Sequence, residues 1–245
     1  MNIKALIPNF FTMLNLFSGC VAMVMLANFK FELAFYFVCL GIFFDFFDGF
    51  FARKFNVAGP LGVQLDSLAD MVTSGVVPGF AMYILLFNIQ LLTAEKYTEN
   101  SMDLLPFVGF VITLGACYRL AKFNIDTRQS DSFIGLPTPA NALFIMSLAV
   151  IIKGMPFSEL SAFLFDWKVL IPITLLSAYV MNAEIPLFSL KIKNFSFAKY
   201  KLQIFFLAIS VLMLIFLQIV AVPLIILLYV LLSVINNIVN KKASV

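Results

Sequence analysis

The sequence predicts an all-α polytopic membrane protein with about eight transmembrane helices and both termini on the cytosolic side. Three observations predict it. Of 245 residues, 62% are apolar and only 12% charged, against about half and a quarter in a soluble domain, and the mean hydropathy is +1.04. Charge-poor stretches of bilayer-spanning length recur along the chain. The basic residues between them alternate in density from loop to loop.

In order, the stretches are 9–29, 32–52, 64–92, 104–124, 138–153, 168–188, 202–220 and 223–240. The first follows Lys4 and contains Phe17-Ser18-Gly19-Cys20, a near miss to a lipoprotein cleavage box. The charge-free run continues from Ala5 to Phe29, however, so a retained helix is expected rather than a cleaved signal. Pro8-Asn9 reads as the start of that helix. The second and third stretches carry a group of aspartates between them. The last two form one apolar run of 39 residues, Leu202 to Asn240, too long for one ordinary span. Pro223 is the natural breaker, suited to the first turn of a new helix. No repeat, linker or low-complexity segment divides the chain, so residues 1–245 form a single integral membrane domain.

With both termini on one side, that side collects Lys4, Arg53, Lys54, Arg119, Lys122, Arg128, Lys191, Lys193, Lys199, Lys201, Lys241 and Lys242. The other side has Lys30, Lys96, Lys153 and Lys168, a division of 12 to 4. The positive-inside rule makes the first side cytosolic. Lys191 to Lys201 read as a topology anchor near anionic headgroups. Short basic clusters between apolar spans leave no footprint for nucleic acid. The absence of histidine removes Ser-His-Asp hydrolysis, Cys-His nucleophiles, haem with an axial histidine and His-ligated zinc. Cys20, Cys39 and Cys117 lie far apart in apolar runs, so neither a disulfide framework nor a thiolate metal site is expected.

The informative stretch is Asp45-Phe-Phe-Asp48-Gly49-Phe-Phe-Ala52-Arg53, continued by Gly62, Asp66 and Asp70. At helical spacing Asp45, Asp48, Gly49 and Ala52 share one face, and Gly62, Asp66 and Asp70 share a face of the next helix. Asn56, Gly59 and Pro60 supply the connecting turn. Two antiparallel helices thus bring four carboxylates together near the cytosolic boundary. An acidic side chain at helix centre costs about 2.5–3.5 kcal/mol on insertion scales, and clustered like charges repel besides. Either some carboxyls are protonated or divalent cations occupy the group. An all-carboxylate set suits Mg²⁺ or Mn²⁺ rather than Zn²⁺. Four such groups can hold two ions, the arrangement that serves in-line displacement at phosphorus. Gly49 and Ala52 either clear space for a ligand or pack helix on helix.

The pattern Asp-x2-Asp-Gly-x2-Ala-Arg-x8-Gly-x3-Asp-x3-Asp, complete from Asp45 to Asp70, resembles the signature of the CDP-alcohol phosphotransferases. The resemblance implies a membrane enzyme that moves a phosphatidyl-type group from a CDP-linked lipid to an alcohol, releasing CMP at the cytosolic face of a bacterial-type plasma membrane. It implies that Asp45, Asp48 and Asp66 bind one metal, that Asp66 and Asp70 approach a second, and that Asp70 is the general base. Gly49, Ala52, Arg53, Gly59 and Gly62 would form the CDP-lipid site. The Pro8-Asn9-x2-Thr12 segment resembles the family's entrance to its first helix, which adds Asn9 and Thr12, with Asn15 one turn on. Read locally, these are ordinary helix-start residues. A homodimer is implied by the resemblance as well.

Two later stretches concern the acceptor. Arg119-Leu-Ala-Lys122-Phe-Asn124 and Gly135-Leu-Pro-Thr-Pro139 resemble the phosphatidylserine synthase branch of that family, which implies CDP-diacylglycerol and L-serine as substrates. The likeness covers most of residues 7–190, so the catalytic helices occupy about 5–190 and two additional helices about 202–240. Arg119 offers a bidentate fork for a carboxylate, Lys122 adds charge, and Asn124, Thr73 and Ser74 offer neutral hydrogen bonds. Without the resemblance, Arg119 and Lys122 also read as boundary cations.

Two rival readings stand beside this one. Inositol, an inositol phosphate or glycerol 3-phosphate could replace serine, although a phosphorylated acceptor calls for more clustered cations than Arg119, Lys122 and Arg128 provide. A cation transporter would place acids near mid-membrane on several helices with repeated halves; here they crowd one boundary on two adjacent helices.

Overall fold

The computed structural model describes residues 3–93, 104–126, 133–155, 158–188 and 201–243. Among these the chain is almost entirely helical. Five stretches are long and apolar enough to cross a membrane: Lys4–Ala27, Phe31–Lys54, Pro60–Leu92, Leu105–Ile125 and Lys201–Val239. Two shorter apolar helices, Thr138–Gly154 and Trp167–Asn182, accompany them.

Helices α1 (Ile3–Ala27) and α2 (Phe31–Lys54) pack along their lengths, joined by a tight turn in which Phe29 takes a left-handed φ of 57°. Helix α3 (Pro60–Asp70) runs through a π-helical turn (Met71–Val76) directly into α4 (Val77–Thr93). A 3₁₀ segment, Leu105–Phe110, leads into α5 (Val111–Ile125). Helix α6 (Thr138–Gly154) is apolar nearly all round and lies at the centre, as a helix without a polar face must. It packs on α2, α4 and, further along the chain, the C-terminal helix Ala221–Ala243. A one-and-a-half-turn helix α7 (Glu159–Leu164) and α8 (Trp167–Asn182) follow. Helix α9 (Lys201–Leu217) and α10 (Ala221–Ala243) complete the chain.

The break in the C-terminal apolar run is a 3₁₀ turn at Gln218–Val220, with Gln218 at φ 49°. Pro223 is the third residue of α10, where a missing N–H costs nothing because first-turn amides have no intrahelical acceptor.

Two sequence expectations need correction. Pro8 does not start the first helix but lies inside α1, which begins at Ile3; Pro8 removes one backbone bond there and the helix continues through it. The stretch 168–188 is not helical to its end. Helix α8 stops at Asn182, because the amides of Gly135 and Leu136 donate to Ile185 O and Val180 O, and the chain beyond pairs Phe133–Ile134 (β1) antiparallel to Pro186–Leu187 (β2). Helix α7 carries too few residues to show as a period. Lys96, Arg128, Lys191, Lys193 and Lys199 lie outside the described residues.

Candidate active site

The turn between α2 and α3 has the predicted chemistry. After Lys54 the amides of Asn56 and Val57 donate back to Arg53 O and Ala52 O, and Asn56 takes the left-handed conformation, φ 52°, the usual helix stop. Gly59 is extended at the N-cap of α3, and Pro60 occupies its first turn. This turn folds α3 back beside α2 and brings the aspartates together.

Asp45 and Asp48 of α2 and Asp66 of α3 each present a carboxylate oxygen within 4.8 Å of the others. Asp48 is buried, and the Thr12 hydroxyl donates to its Oδ2 at 2.7 Å. Asp66 Oδ1 is buried with no hydrogen-bond partner. Asp70, 8% exposed, stands outside this triad; Asn15 Nδ2 donates to its Oδ1 at 3.0 Å. Three buried or half-buried carboxylates, one of which keeps an unpartnered oxygen, fit a hard divalent cation. A buried carboxylate oxygen with no donor is otherwise costly.

Beside the triad lies a cavity of about 190 Å³, walled by Pro8, Asn9 and Thr12 of α1, by Asp48, Gly49, Ala52 and Arg53 of α2, and by Gly59, Gly62 and Asp66 across the turn, with Val57, Ala58 and Val63. The structure therefore gathers Asn9, Thr12, Gly49, Ala52, Arg53, Gly59 and Gly62 on one wall. Asn15 is not on it; that side chain is fully buried against Asp70.

The five residues matched to an acceptor separate into two groups. Arg119 is 7% exposed, its Nε and Nη2 have no hydrogen-bond partner, and its charge attracts that of Asp70 across the site. Ser74 is fully buried with an unpartnered hydroxyl. Lys122 instead pairs with Glu184 at 3.5 Å, Asn124 Nδ2 donates to Ser67 Oγ at 2.8 Å, and the Thr73 hydroxyl donates to Asn15 O at 3.0 Å. Sequence reasoning gave no role to Thr138 and Asn141, which are buried with unpartnered Oγ1, Nδ2 and Oδ1 atoms. The available signal was two polar residues at helical spacing in the first turn of a largely apolar α6.

Residues 5–180 match the CDP-alcohol phosphatidyltransferase family. The chain belongs to that family. Among its relatives in the family, a CDP-diacylglycerol–serine O-phosphatidyltransferase of Bacillus subtilis is 35% identical over 147 residues, 58% of this chain and 75% of that protein. One of the same name from Helicobacter pylori is 30% identical over 215 residues, 87% of this chain and 82% of that protein. An archaetidylserine synthase of Methanothermobacter thermautotrophicus is 30% identical over 159 residues, 64% and 61% of the two chains. The family match stops at residue 180, so α9 and α10 lie beyond it. Family membership makes this chain a membrane transferase, and the carboxylate triad and its cavity both fall within the matched residues.

Proposed function

We propose that the chain transfers the phosphatidyl group of CDP-diacylglycerol to the hydroxyl of L-serine, giving phosphatidylserine and CMP. The observation that carries the choice of serine is Arg119, a buried guanidinium whose Nε and Nη2 have no hydrogen-bond partner and whose charge is felt by Asp70, the carboxylate proposed as base. A small acceptor with its own carboxylate answers both the charge and the fork geometry. The relatives' names point the same way.

In this reading Asp45, Asp48 and Asp66 hold one Mg²⁺ or Mn²⁺, and Asp66 with Asp70 a second. Such ions neutralise the pyrophosphate and stabilise charge on departing CMP. Asn9, Gly49, Ala52, Arg53, Gly59 and Gly62 seat the nucleotide end of the donor. Thr12, through its bond to Asp48, fixes that carboxylate. Asp70 takes the proton as the serine oxygen bonds to the phosphatidyl phosphorus and the bond from that phosphorus to CMP breaks. A carboxylate is a weak base for an alcohol, so proton transfer accompanies attack. Ser74, beside Asp70 in sequence, offers a neutral hydrogen bond; Lys122 and Asn124 contribute by bracing the helix ends they pair.

The chain crosses the membrane eight times, with both termini and the site at the cytosolic face, and acts as a homodimer. The side assignment has support in a cavity that joins Lys30 and Glu32 to Lys153 and Gly154, two basic residues placed on the same, opposite side by the charge count.

The test is CMP release from CDP-diacylglycerol by purified protein with Mg²⁺ or Mn²⁺, comparing serine, inositol, glycerol 3-phosphate and no acceptor. Serine-dependent release with phosphatidylserine as product is the expected result; release that needs another acceptor overturns the assignment of Arg119. Arg119→Ala is expected to raise the serine KM about tenfold or more, the size of a hydrogen bond to a charged group, with a smaller change in the KM of CDP-diacylglycerol. An effect on the lipid alone would move Arg119 to the donor site.

A further inference from the structure

Asp70 ends α3, and the next residue opens the π turn Met71–Val76, whose closing amide, Val77 N–H, donates to Val72 O. This wider turn sets Thr73 against α1, where its hydroxyl donates to Asn15 O at 3.0 Å. Asn15 in turn donates through Nδ2 to Asp70 Oδ1 at 3.0 Å. Both Asn15 and Thr73 are fully buried. Two glycines leave room for the pair. A Cβ on Gly19, one turn beyond Asn15, would collide with the Thr73 hydroxyl and stand 3.0 Å from Thr73 Cα. A Cβ on Gly41 of α2 would stand 2.7 Å from Thr73 Cγ2 and 2.9 Å from Asn15 Oδ1.

We infer that Asn15 and Thr73 are positioning residues for Asp70, and not ligands of donor or acceptor; the inference rests on Asp70 as general base. Rotation of a carboxylate about its last torsion is soft, so a base needs a fixed donor to aim it. The Asn15 amide occupies Oδ1 and leaves Oδ2 to receive the proton. The Thr73 bond ties the π turn that begins at residue 71 to the Asn15 backbone, so base and aiming donor move as one unit. A carboxylate only accepts, so the Asn15 amide presents its nitrogen to Asp70 and leaves its Oδ1 buried at the Gly41 notch without a hydrogen-bond partner.

The experiment compares Asn15→Leu, which keeps the branching and removes the donor, with Thr73→Val and Thr73→Ser. CDP-diacylglycerol affinity is measured by calorimetry without acceptor, and kcat and both KM values are measured with serine. Positioning predicts that Asn15→Leu lowers kcat about a hundredfold, the effect of slight misplacement of a reacting group, while the lipid Kd and both KM values stay within about threefold. Thr73→Val lowers kcat in the same sense, and Thr73→Ser restores most of it. A weakened lipid Kd or a raised serine KM at unchanged kcat makes these residues ligands and overturns the inference. So does unaltered kcat in folded Asn15→Leu and Thr73→Val. Asp70→Asn separates the two levels. If Asp70→Asn is inactive while both positioning variants turn over normally, only this inference fails; if Asp70→Asn is active, the base assignment fails first.

Discussion

Replacing Asp70 with Asn is expected to lower turnover about a thousandfold, within the range general-base catalysis supplies, and to leave CDP-diacylglycerol bound. The substitution keeps the shape of the side chain, and its amide oxygen still accepts from Asn15 Nδ2, so the buried pair loses no hydrogen bond. It removes the ability to take a proton, together with the charge that Asp70 would lend, with Asp66, to a second cation. Asp70 is also outside the carboxylate triad and off the wall of the adjoining cavity, so the donor site should be little disturbed. Asp70→Ala is a poorer test, because it strands the Asn15 amide in a buried site and adds a folding cost of its own. Single-turnover CMP formation alongside lipid affinity checks the prediction. Turnover near wild type in Asp70→Asn would sink the base assignment.

The apposition of the residues proposed to bind the donor was legible in the sequence because both of its periodicities are local. Asp45, Asp48, Gly49 and Ala52 fall on one helical stripe, Gly62 and Asp66 on another, and Asn56-x2-Gly59-Pro60 closes the turn that apposes them. Each of those steps needs only helix geometry and turn chemistry. The break before Pro223 was legible for the same reason. The surroundings of the residues proposed to bind the acceptor were not, because what distinguishes those candidates is long-range pairing. Lys122 finds Glu184 and Asn124 finds Ser67, partners separated by about sixty residues, and nothing in the local pattern marks them as satisfied. Asn15 shows this most clearly. Its place one turn after Thr12 suggested the nucleotide wall, yet the side chain meets Asp70, 55 residues away. The π turn after Asp70 also has no signature in Met-Val-Thr-Ser-Gly-Val. Its register depends on packing against α1, α5 and α6 and not on propensity.

Asp66→Asn is expected to have an effect at least as large as that of Asp70→Asn, for a different reason. Asp66 is the carboxylate assigned to both cations, and its Oδ1 is buried without a hydrogen-bond donor. An oxygen in that state, beside two further carboxylates, is stabilised by a bound cation. Substitution by Asn keeps the volume but removes the charge that holds the ions and, through them, the pyrophosphate, so a loss of about a thousandfold or more in turnover follows from removing that stabilisation of the leaving group. Binding of metal gives an independent readout. At a hundred times its Kd, Mn²⁺ stabilises a folded protein by about 2.7 kcal/mol, so thermal unfolding of the wild type should shift upward with Mn²⁺ and shift back with chelator. In Asp66→Asn that shift should shrink or require far higher Mn²⁺, and turnover, if any remains, should rise with the same metal dependence. Wild-type turnover together with an unchanged Mn²⁺ shift would show that the cations lie elsewhere. A lost shift with retained turnover would separate the ion at Asp45, Asp48 and Asp66 from the chemistry, and would leave Asp70 and Arg119 to act on the acceptor without it.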